Sequence, residues 1–222
     1  TPIANPARLV PNLTFGIREQ ELQTTLDKIK EKHKPDLVVV LSHNGVDVDK
    51  KLASRVTGID VILGGHTHDA VPNIIEVKNN SGVTHVANSG CNGKFISVMD
   101  IKFSGKSFTY KYNLIPILSN QITPNKDMER YINKITRPYK AELSETVGYA
   151  SETLYRRSNF NGTFDDLLCD SMNNVLDTQL SLSPGFRWGA TLLPNQSISM
   201  EDIYNHTAIT YPNTYVREMS GE

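Results

Sequence analysis

Two short apolar runs near the start of the chain constrain its fold most. The runs 37–41 and 59–63 each end in a polar loop that contains glycine and histidine. Residues 48–57, between them, carry apolar side chains at helical spacing, with Gly58 as the predicted C-terminal cap. A continuous run of this kind is typical of a strand buried on both faces. The order strand, helix, strand predicts a β-α-β unit with parallel neighbouring strands.

The remaining segments predict an α/β protein (α+β overall). Residues 19–34 have apolar positions at helical spacing, and residues 124–144 return to that pattern with an interruption expected at Pro138. Thr163–Asp166 resembles a capping box that opens a further helix. Alternating or apolar segments predict three more strands, at 83–88, 96–103 and 107–117.

Composition disfavours two classes of partner. The formal net charge is −1, from 23 basic and 24 acidic residues, and there is no basic block. Binding driven by phosphate neutralisation needs a basic surface, so we expect no nucleic-acid partner. No apolar run approaches the roughly 18 residues of a membrane span, so we expect no membrane partner either.

The cysteines and the chain ends say little about the compartment. Cys91 and Cys169 are too few for a disulfide framework, and we interpret them as partly buried apolar side chains. The chain starts with Thr-Pro and shows no signal peptide. We expect an internal fragment of a longer protein, and in that case a missing signal peptide does not indicate the cytosol.

Three histidines follow the two apolar runs. His43 comes after the first, and His66 and His68 come after the second. Because the carboxyl ends of parallel strands meet at one sheet edge, we expect three imidazoles to converge there. Neutral imidazole is the commonest metal-binding side chain, so the pattern favours metal or phosphate-type chemistry. Asn44 and Asp69 are candidates for supporting a ligand or touching substrate.

The surroundings of the histidines refine this hypothesis. Three glycines in the same loops are expected to allow tight or left-handed turns: Gly45, Gly64 and Gly65. The other histidines lack a strand-end setting and are interpreted as structural: His33, His85 and His206.

Residues 41–45 (LSHNG) and 64–69 (GGHTHD) resemble the last two signature blocks of the calcineurin-like metallophosphoesterases, including their 5′-nucleotidase branch. The resemblance implies that His43 and His66 bind one metal ion and His68 the other. The family's earlier blocks, which supply an Asp-x-His pair, a bridging Asp and an Asn-His pair, do not occur before residue 36. Half of the ligand set is therefore missing, and the chain alone is expected to be inactive.

The same resemblance implies a domain organisation. Residues 1–118 would form the C-terminal half of a metallophosphoesterase β-sandwich with flanking helices. Residues 119–146 would form a connecting helix, and residues 147–222 the incomplete 5′-nucleotidase-type substrate domain.

A loop in that last region separates branches of the family. Residues 183–189 (SPGFRWG) stand where nucleotidases have a Gly-Gly-Ile-Arg-type loop, and they resemble the SoxB group of sulfate thiohydrolases. Arg187 offers a planar fork to a tetrahedral anion, and Phe186 and Trp188 could wall its pocket. Asn161 and Asp165 are expected to cap a helix rather than touch substrate.

The resemblance implies a dimetal hydrolase with two manganese ions, although other divalent metals also suit such ligands. It would release sulfate from a cysteine S-thiosulfonate on the SoxYZ carrier protein, in the periplasm. Two alternatives stay open. One is a 5′-nucleotidase-type phosphomonoesterase, with Trp188 and either Tyr155 or Tyr211 around a base. The other is a non-catalytic binding module, if the chain is complete as given.

Overall fold

A computed structural model describes residues 10–14, 16–105, 107–156, 161–183, 190–207 and 213–221. The chain divides into two compact units, Thr1–Thr123 and Pro124–Glu222. Both units combine helices with strands, which confirms the α/β class. Within the described ranges, no helix has the length and apolar character that crossing a membrane requires.

The described residues of the first unit form two α-helices and six strands. In chain order they are α1 (Glu19–His33), β1 (Val39–Leu41), α2 (Val46–Arg55), β2 (Val61–Gly64), β3 (Ile75–Asn79), β4 (Gly82–Asn88), β5 (Phe95–Ser104) and β6 (Ser107–Pro116), followed by a short 3₁₀ helix, Ser119–Gln121. The predicted helices and strands of this unit are confirmed, and β3 is an additional strand.

Four strands form one sheet in the order β1-β2-β4-β3. β1 pairs in parallel with β2, and β2 in parallel with β4, so the predicted β-α-β unit is confirmed. β3 and β4 form an antiparallel hairpin at the other edge of the sheet. β5 and β6 form a separate antiparallel hairpin, paired from Phe95 with Pro116 to Ser104 with Ser107.

Helices α1 and α2 pack on one face of this sheet. Their inward side chains, Leu26, Leu52 and Val56, join Ile62 and Val86 in a buried core. The expectation that β1 is buried on both faces is wrong for the described structure, since Val39 is 44% exposed and Leu41 is 80% exposed. The reason is that α1 and α2 cover one face of the sheet, where Val38 and Val40 join the core, whereas Val39 and Leu41 lie on the opposite face.

Helix α2 ends earlier than the glycine pattern predicts. Its last residue is Arg55, and the backbone N–H of the capping residue Val56 donates to the carbonyl of Leu52. Gly58 has a φ of 83° and belongs to the turn that leads to β2. The prediction that Gly58 caps the helix is therefore wrong, and its left-handed conformation serves the loop instead.

In the part of the second unit that the structure describes, there are four α-helices and two short strands. They are α3 (Lys126–Thr136), a 3₁₀ turn (Arg137–Tyr139), α4 (Lys140–Leu143), β7 (Thr146–Tyr149), α5 (Thr163–Leu176), β8 (Ser197–Ser199) and α6 (Met200–Thr207). The expected interruption at Pro138 is confirmed, because α3 ends at Thr136. β7 and β8 pair antiparallel, and Phe164 lies at the centre of the core with Leu154 and Leu192.

The start of α5 differs from the predicted capping box. Gly162 is the N-cap, and no side chain caps the helix. The Thr163 hydroxyl instead donates to the carbonyl of Thr153 at 2.7 Å and accepts from the backbone N–H of Tyr155 at 3.1 Å. Thr163 thus fastens the helix start to the preceding segment, and the capping-box prediction is wrong.

Candidate metal-binding edge of the sheet

The carboxyl ends of β1 and β2 place two histidines side by side. Val39 pairs with Val61 and Leu41 with Leu63, so the loops that follow leave the sheet at the same edge. His66 Nδ1 lies 3.3 Å from His43 Nε2, and the ring centroids are 5.0 Å apart at 66°. Both side chains are exposed, so a ligand can reach them from solvent.

The spacing of these two nitrogens fits a shared cation. In a tetrahedral site with metal–nitrogen bonds of about 2.0–2.1 Å, two ligand nitrogens lie roughly 3.3–3.4 Å apart. The same distance also allows one imidazole to donate a long hydrogen bond to the other. A metal ion would replace that proton, since both nitrogens must present lone pairs to bind it.

The other predicted residues of this edge are more dispersed. Among the residues that the structure describes, no three His, Cys, Asp or Glu side chains form a group that could hold a metal. His68 is half-buried and Asp69 is exposed, with its carbonyl accepting from the N–H of Gly90 at 2.8 Å. The N–H of Asn44 donates to Ser42 Oγ at 3.2 Å. The structure thus brings His43 and His66 together, and the roles of the remaining residues stay predictions.

A direct contact joins the two histidine loops. The N–H of Val46, at the start of α2, donates to Thr67 Oγ1 at 3.2 Å. Gly45 has a φ of 99°, and a Cβ there would lie 2.6 Å from Thr67 Cγ2. Gly45 therefore provides both the turn and the close approach expected of it.

Left-handed backbone occurs at the histidines rather than at the neighbouring glycines. His66 has a φ of 75° and His68 a φ of 60°, whereas Gly64 and Gly65 have no positive φ. Of the tight or left-handed turns expected at Gly64 and Gly65, the left-handed ones do not occur. For a residue with a Cβ this conformation costs about 1–2 kcal/mol, so the strain lies on the candidate ligands themselves.

The need for glycine at position 64 comes from a buried carboxylate. A Cβ on Gly64 would lie 2.5 Å from Asp49 Oδ2 and 3.6 Å from the side-chain nitrogen of Asn88. Asp49 is fully buried, and its Oδ1 accepts from the Ser42 hydroxyl at 2.5 Å. Burial raises the pKa of Asp49, and the hydrogen bond from Ser42 opposes that shift.

Asp49 was not predicted as a site residue, although its spacing along α2 indicates a buried carboxylate. It lies on the same face of α2 as Leu52 and Val56, at the spacing of an inward-facing row. A carboxylate in such a row is buried and needs a partner, which is here the residue before His43. Through Ser42, which also accepts from Asn44, Asp49 holds the loop that carries His43.

The histidines and cysteines interpreted as structural differ in burial and in their contacts. His33 is exposed, whereas His85 lies in β4 with its Nδ1 3.1 Å from the carbonyl of Asp60. His206 is fully buried and stacks on Phe164 with a centroid distance of 3.8 Å. Cys91 and Cys169 are free and half-buried, and burial raises the pKa of the Cys169 thiol.

Part of the predicted substrate site lies outside the described residues. This applies to Phe186, Arg187, Trp188 and Tyr211. Tyr155 is described and half-buried. Asn161 donates to Asp166 Oδ1 at 2.5 Å, near the start of α5. Asp165 does not cap the helix, because its carboxylate pairs with Arg156 at 2.9 Å inside the second unit.

Comparison with known proteins finds relatives among nucleotide phosphoesterases. No family model matches it. It is 32% identical over 146 residues to the trifunctional nucleotide phosphoesterase protein YfkN of Bacillus subtilis, covering 64% of this chain and 10% of that protein. It is 26% identical over 191 residues to the 5′-nucleotidase of Bos taurus, covering 78% of this chain and 33% of that protein. Its homologues are thus hydrolases of the 5′-nucleotidase family.

Solved structures add a more specific similarity. The chain resembles the sulfate thiohydrolase SoxB of Thermus thermophilus, with a TM-score of 0.85, 30% identity, and coverage of 95% of this chain and 38% of that one. A 5′-nucleotidase precursor from Thermus thermophilus has the same fold, with a TM-score of 0.72 and 23% identity over 85% of this chain and 41% of that one. The chain therefore spans well under half of the length of these proteins.

Proposed function

We propose that the chain belongs to a sulfate thiohydrolase that releases sulfate from a cysteine S-thiosulfonate on the SoxYZ carrier protein. One observation supports it most: the adjacent His43 and His66 lie at a parallel-strand edge within a fold similar to SoxB over 95% of the chain. The SPGFRWG loop at residues 183–189 supports the same branch through its sequence. On this proposal the protein works in the periplasm.

The histidines would hold two manganese ions, with His43 and His66 on one ion and His68 on the other. Bound there, the metal pair would supply an activated water as the nucleophile. Exposure of His43 and His66 leaves the sheet edge open to a substrate attached to a carrier protein. The bonds from Asp49 through Ser42 to Asn44 keep the His43 loop in place before any ion binds.

Arg187 would bind the sulfonate oxygens of the substrate. A guanidinium matches the tetrahedral anion before and after the reaction, and it stabilises the negative charge that gathers on the oxygens. An S–O bond forms between water and the sulfonate sulfur, and the S–S bond to the carrier breaks. The carrier's sulfur keeps the electron pair as a persulfide, sulfate leaves, and the water's protons pass to solvent.

A 5′-nucleotidase-type phosphomonoesterase is the second candidate. The observation in its favour is the similarity to nucleotide phosphoesterases, at 32% identity to YfkN over 146 residues. Such an enzyme would use the same sheet edge but would need aromatic side chains around a base. Trp188, Tyr155 and Tyr211 were considered for that purpose. Of these three, the structure describes Tyr155, which is half-buried.

The test compares two substrates on the manganese-loaded protein in its full natural length. We expect sulfate release from thiosulfonated SoxYZ and no phosphate release from AMP. His66→Ala should lower both manganese affinity and sulfate release by at least about 100-fold. Mutation of a residue that only hydrogen-bonds to a metal ligand already lowers metal affinity or activity by roughly 10- to 100-fold. His33→Ala, which changes an exposed histidine away from the edge, is the matched control and should behave like the wild type.

Two results would contradict the proposal. Phosphate release from AMP without sulfate release would favour the nucleotidase. If the folded His66→Ala variant bound as much manganese as the wild type, His66 would not be a metal ligand.

A further inference from the structure

His66 lies at the tip of a tight three-residue turn. The backbone N–H of Thr67 donates to the carbonyl of Gly65 at 3.0 Å, and His66 between them has a φ of 75°. A hydrogen bond across three residues with a positive φ at the middle one defines a γ-turn of the rare, strained kind. Strained backbone persists where the surrounding structure fixes it. The turn therefore depends on contacts that hold it in place.

The side chain of Thr67 makes such contacts. Its Oγ1 accepts from the backbone N–H of Val46 at 3.2 Å. Its Cγ2 packs against Gly45, where an added Cβ would lie only 2.6 Å away. Thr67 is half-buried, whereas His66 is exposed. Thr67 thus closes the γ-turn with its backbone and fastens it to the start of α2 with both branches of its side chain.

The start of α2 provides the attachment point. Val46 is the first residue of the helix, and its N-cap, Gly45, has no side chain that could cap it. The first N–H groups of a helix have no partner within the helix, and Thr67 Oγ1 accepts from one of them. The loop that carries His43 runs directly into this helix start. Thr67 therefore joins the turn that carries His66 to the segment that carries His43.

We propose that Thr67 is a positioning residue that holds His66 beside His43 before any ligand binds. His66 Nδ1 lies 3.3 Å from His43 Nε2, although both side chains are exposed and burial does not fix them. Their close approach therefore depends on the backbone of the two loops, which Thr67 links directly. The part of this inference that concerns metal binding rests on the proposed function, whereas the positioning itself does not.

Two substitutions separate the hydroxyl group of Thr67 from its shape. Thr67→Val keeps the branched side chain that packs against Gly45 but removes the acceptor for the N–H of Val46. Thr67→Ser keeps the acceptor and removes the methyl group. We expect Thr67→Val to release the γ-turn and Thr67→Ser to retain it, because the hydrogen bond fixes the backbone at position 67 relative to α2.

Copper(II) iminodiacetate reports on the proximity of two imidazoles without any enzyme activity. Imidazole suits copper(II), and the chelator leaves coordination positions for two further ligands, so tight binding needs two imidazoles close together. In the metal-free protein of full natural length, the contribution of this pair is the binding that His43→Ala removes. Thr67→Val should weaken that binding by about 5- to 150-fold, because copper would then have to impose the strained backbone of His66 itself. Pulsed EPR should show one coordinated imidazole instead of two.

Thr57→Val is the matched control. Thr57 is a half-buried threonine just beyond the other end of α2, and its hydroxyl donates to Gln23 Oε1 at 3.3 Å. The same substitution there removes a hydroxyl group far along the helix from the histidine edge and should leave copper binding unchanged. Thr67→Ser should bind copper as the wild type does. If Thr67→Val does not fold, as judged by circular dichroism, Thr67→Ala removes the hydroxyl with less bulk and decides in its place.

The outcomes distinguish this inference from the proposed function. Wild-type copper binding with two coordinated imidazoles in folded Thr67→Val would overturn the positioning role, and so would equal losses in Thr67→Val and Thr67→Ser. If His43→Ala binds copper as tightly as the wild type, the two imidazoles do not act as a pair and the inference fails. If the wild type binds no manganese but its copper binding still depends on Thr67, the positioning stands and the dimetal assignment fails.

Discussion

Replacing Gly64 by alanine tests how tightly the histidine edge is built. Gly64 ends β2, and an added Cβ would lie 2.5 Å from Asp49 Oδ2 and 3.4 Å from the carbonyl of Ala87. Real Cβ atoms do not approach other heavy atoms to 2.5 Å, so either Asp49 or the strand must move. Asp49 is fully buried and accepts from the Ser42 hydroxyl, so moving its carboxylate away from the added Cβ would disturb that hydrogen bond.

The expected cost follows from overpacking. Forcing extra atoms into a packed interior typically costs about 1–3 kcal/mol. At roughly 1.4 kcal/mol per factor of ten, amide hydrogens that exchange through opening of the sheet should exchange about 5- to 150-fold faster. The effect should be largest in peptides that cover β1 and β2, because Gly64 is the last residue of β2 and β1 pairs directly with β2.

The neighbouring glycine is the matched control. A Cβ on Gly65 would meet His43 Nδ1 at 3.5 Å and the Ser42 carbonyl at 3.7 Å, which are ordinary contacts. Gly65→Ala should therefore leave exchange unchanged or slow it slightly, because alanine lowers the entropy of the unfolded chain. Hydrogen exchange measured by mass spectrometry on both metal-free variants makes the comparison. Equal effects of the two substitutions, or wild-type exchange in Gly64→Ala, would refute the steric reasoning.

Two further predictions concern pH. Burial raises the pKa of Asp49, so the contribution of its protonated carboxyl group to stability is lost as pH rises through that pKa. Asp49→Asn keeps an acceptor for the Ser42 hydroxyl and carries no charge, so it should raise the free energy of unfolding at pH 7, measured by urea titration without metal. Burial and the charge of Arg156 lower the pKa of His206, so its contribution is complete above about pH 6.5 and is lost as pH falls further. The His206→Phe variant should therefore lose less stability than the wild type when the pH falls from 7.5 to 5. A lower free energy of unfolding in Asp49→Asn at pH 7 would contradict the first prediction. An equal loss of stability in His206→Phe and the wild type would contradict the second.

Much of the first unit could be predicted because its signals are local. The apolar runs, the α2 periodicity and the alternation of β6 each depend on residues close in sequence. The exposure of Val39 and Leu41 could not be predicted, because a strand's sequence does not say whether other elements cover both faces of its sheet. β3 was missed although Ile75 and Val77 alternate with Glu76 and Lys78, because the alternation extends over only five residues.

The proximity of two site histidines was predictable from the sequence, but the contacts that support the structure around them were not. The pairing of His43 with His66 follows from parallel strands that end together. In the second unit, Arg156 donates to the backbone carbonyl of His206, 50 residues further along the chain, and no spacing rule links the two positions. The sequence indicated Gly64 as a residue that allows a special turn. The structure requires glycine there because a side chain would collide with the carboxylate of Asp49.

The left-handed backbone of His66 and His68 has a consequence for affinity. Folding the chain already places both residues at positive φ, at a cost of roughly 1–2 kcal/mol each. On the proposed function, an ion that binds there would not have to order the loop, so that part of the binding cost would be removed in advance. The same backbone strain lowers the stability of the folded chain, and this loss would be the thermodynamic counterpart of a preorganised site.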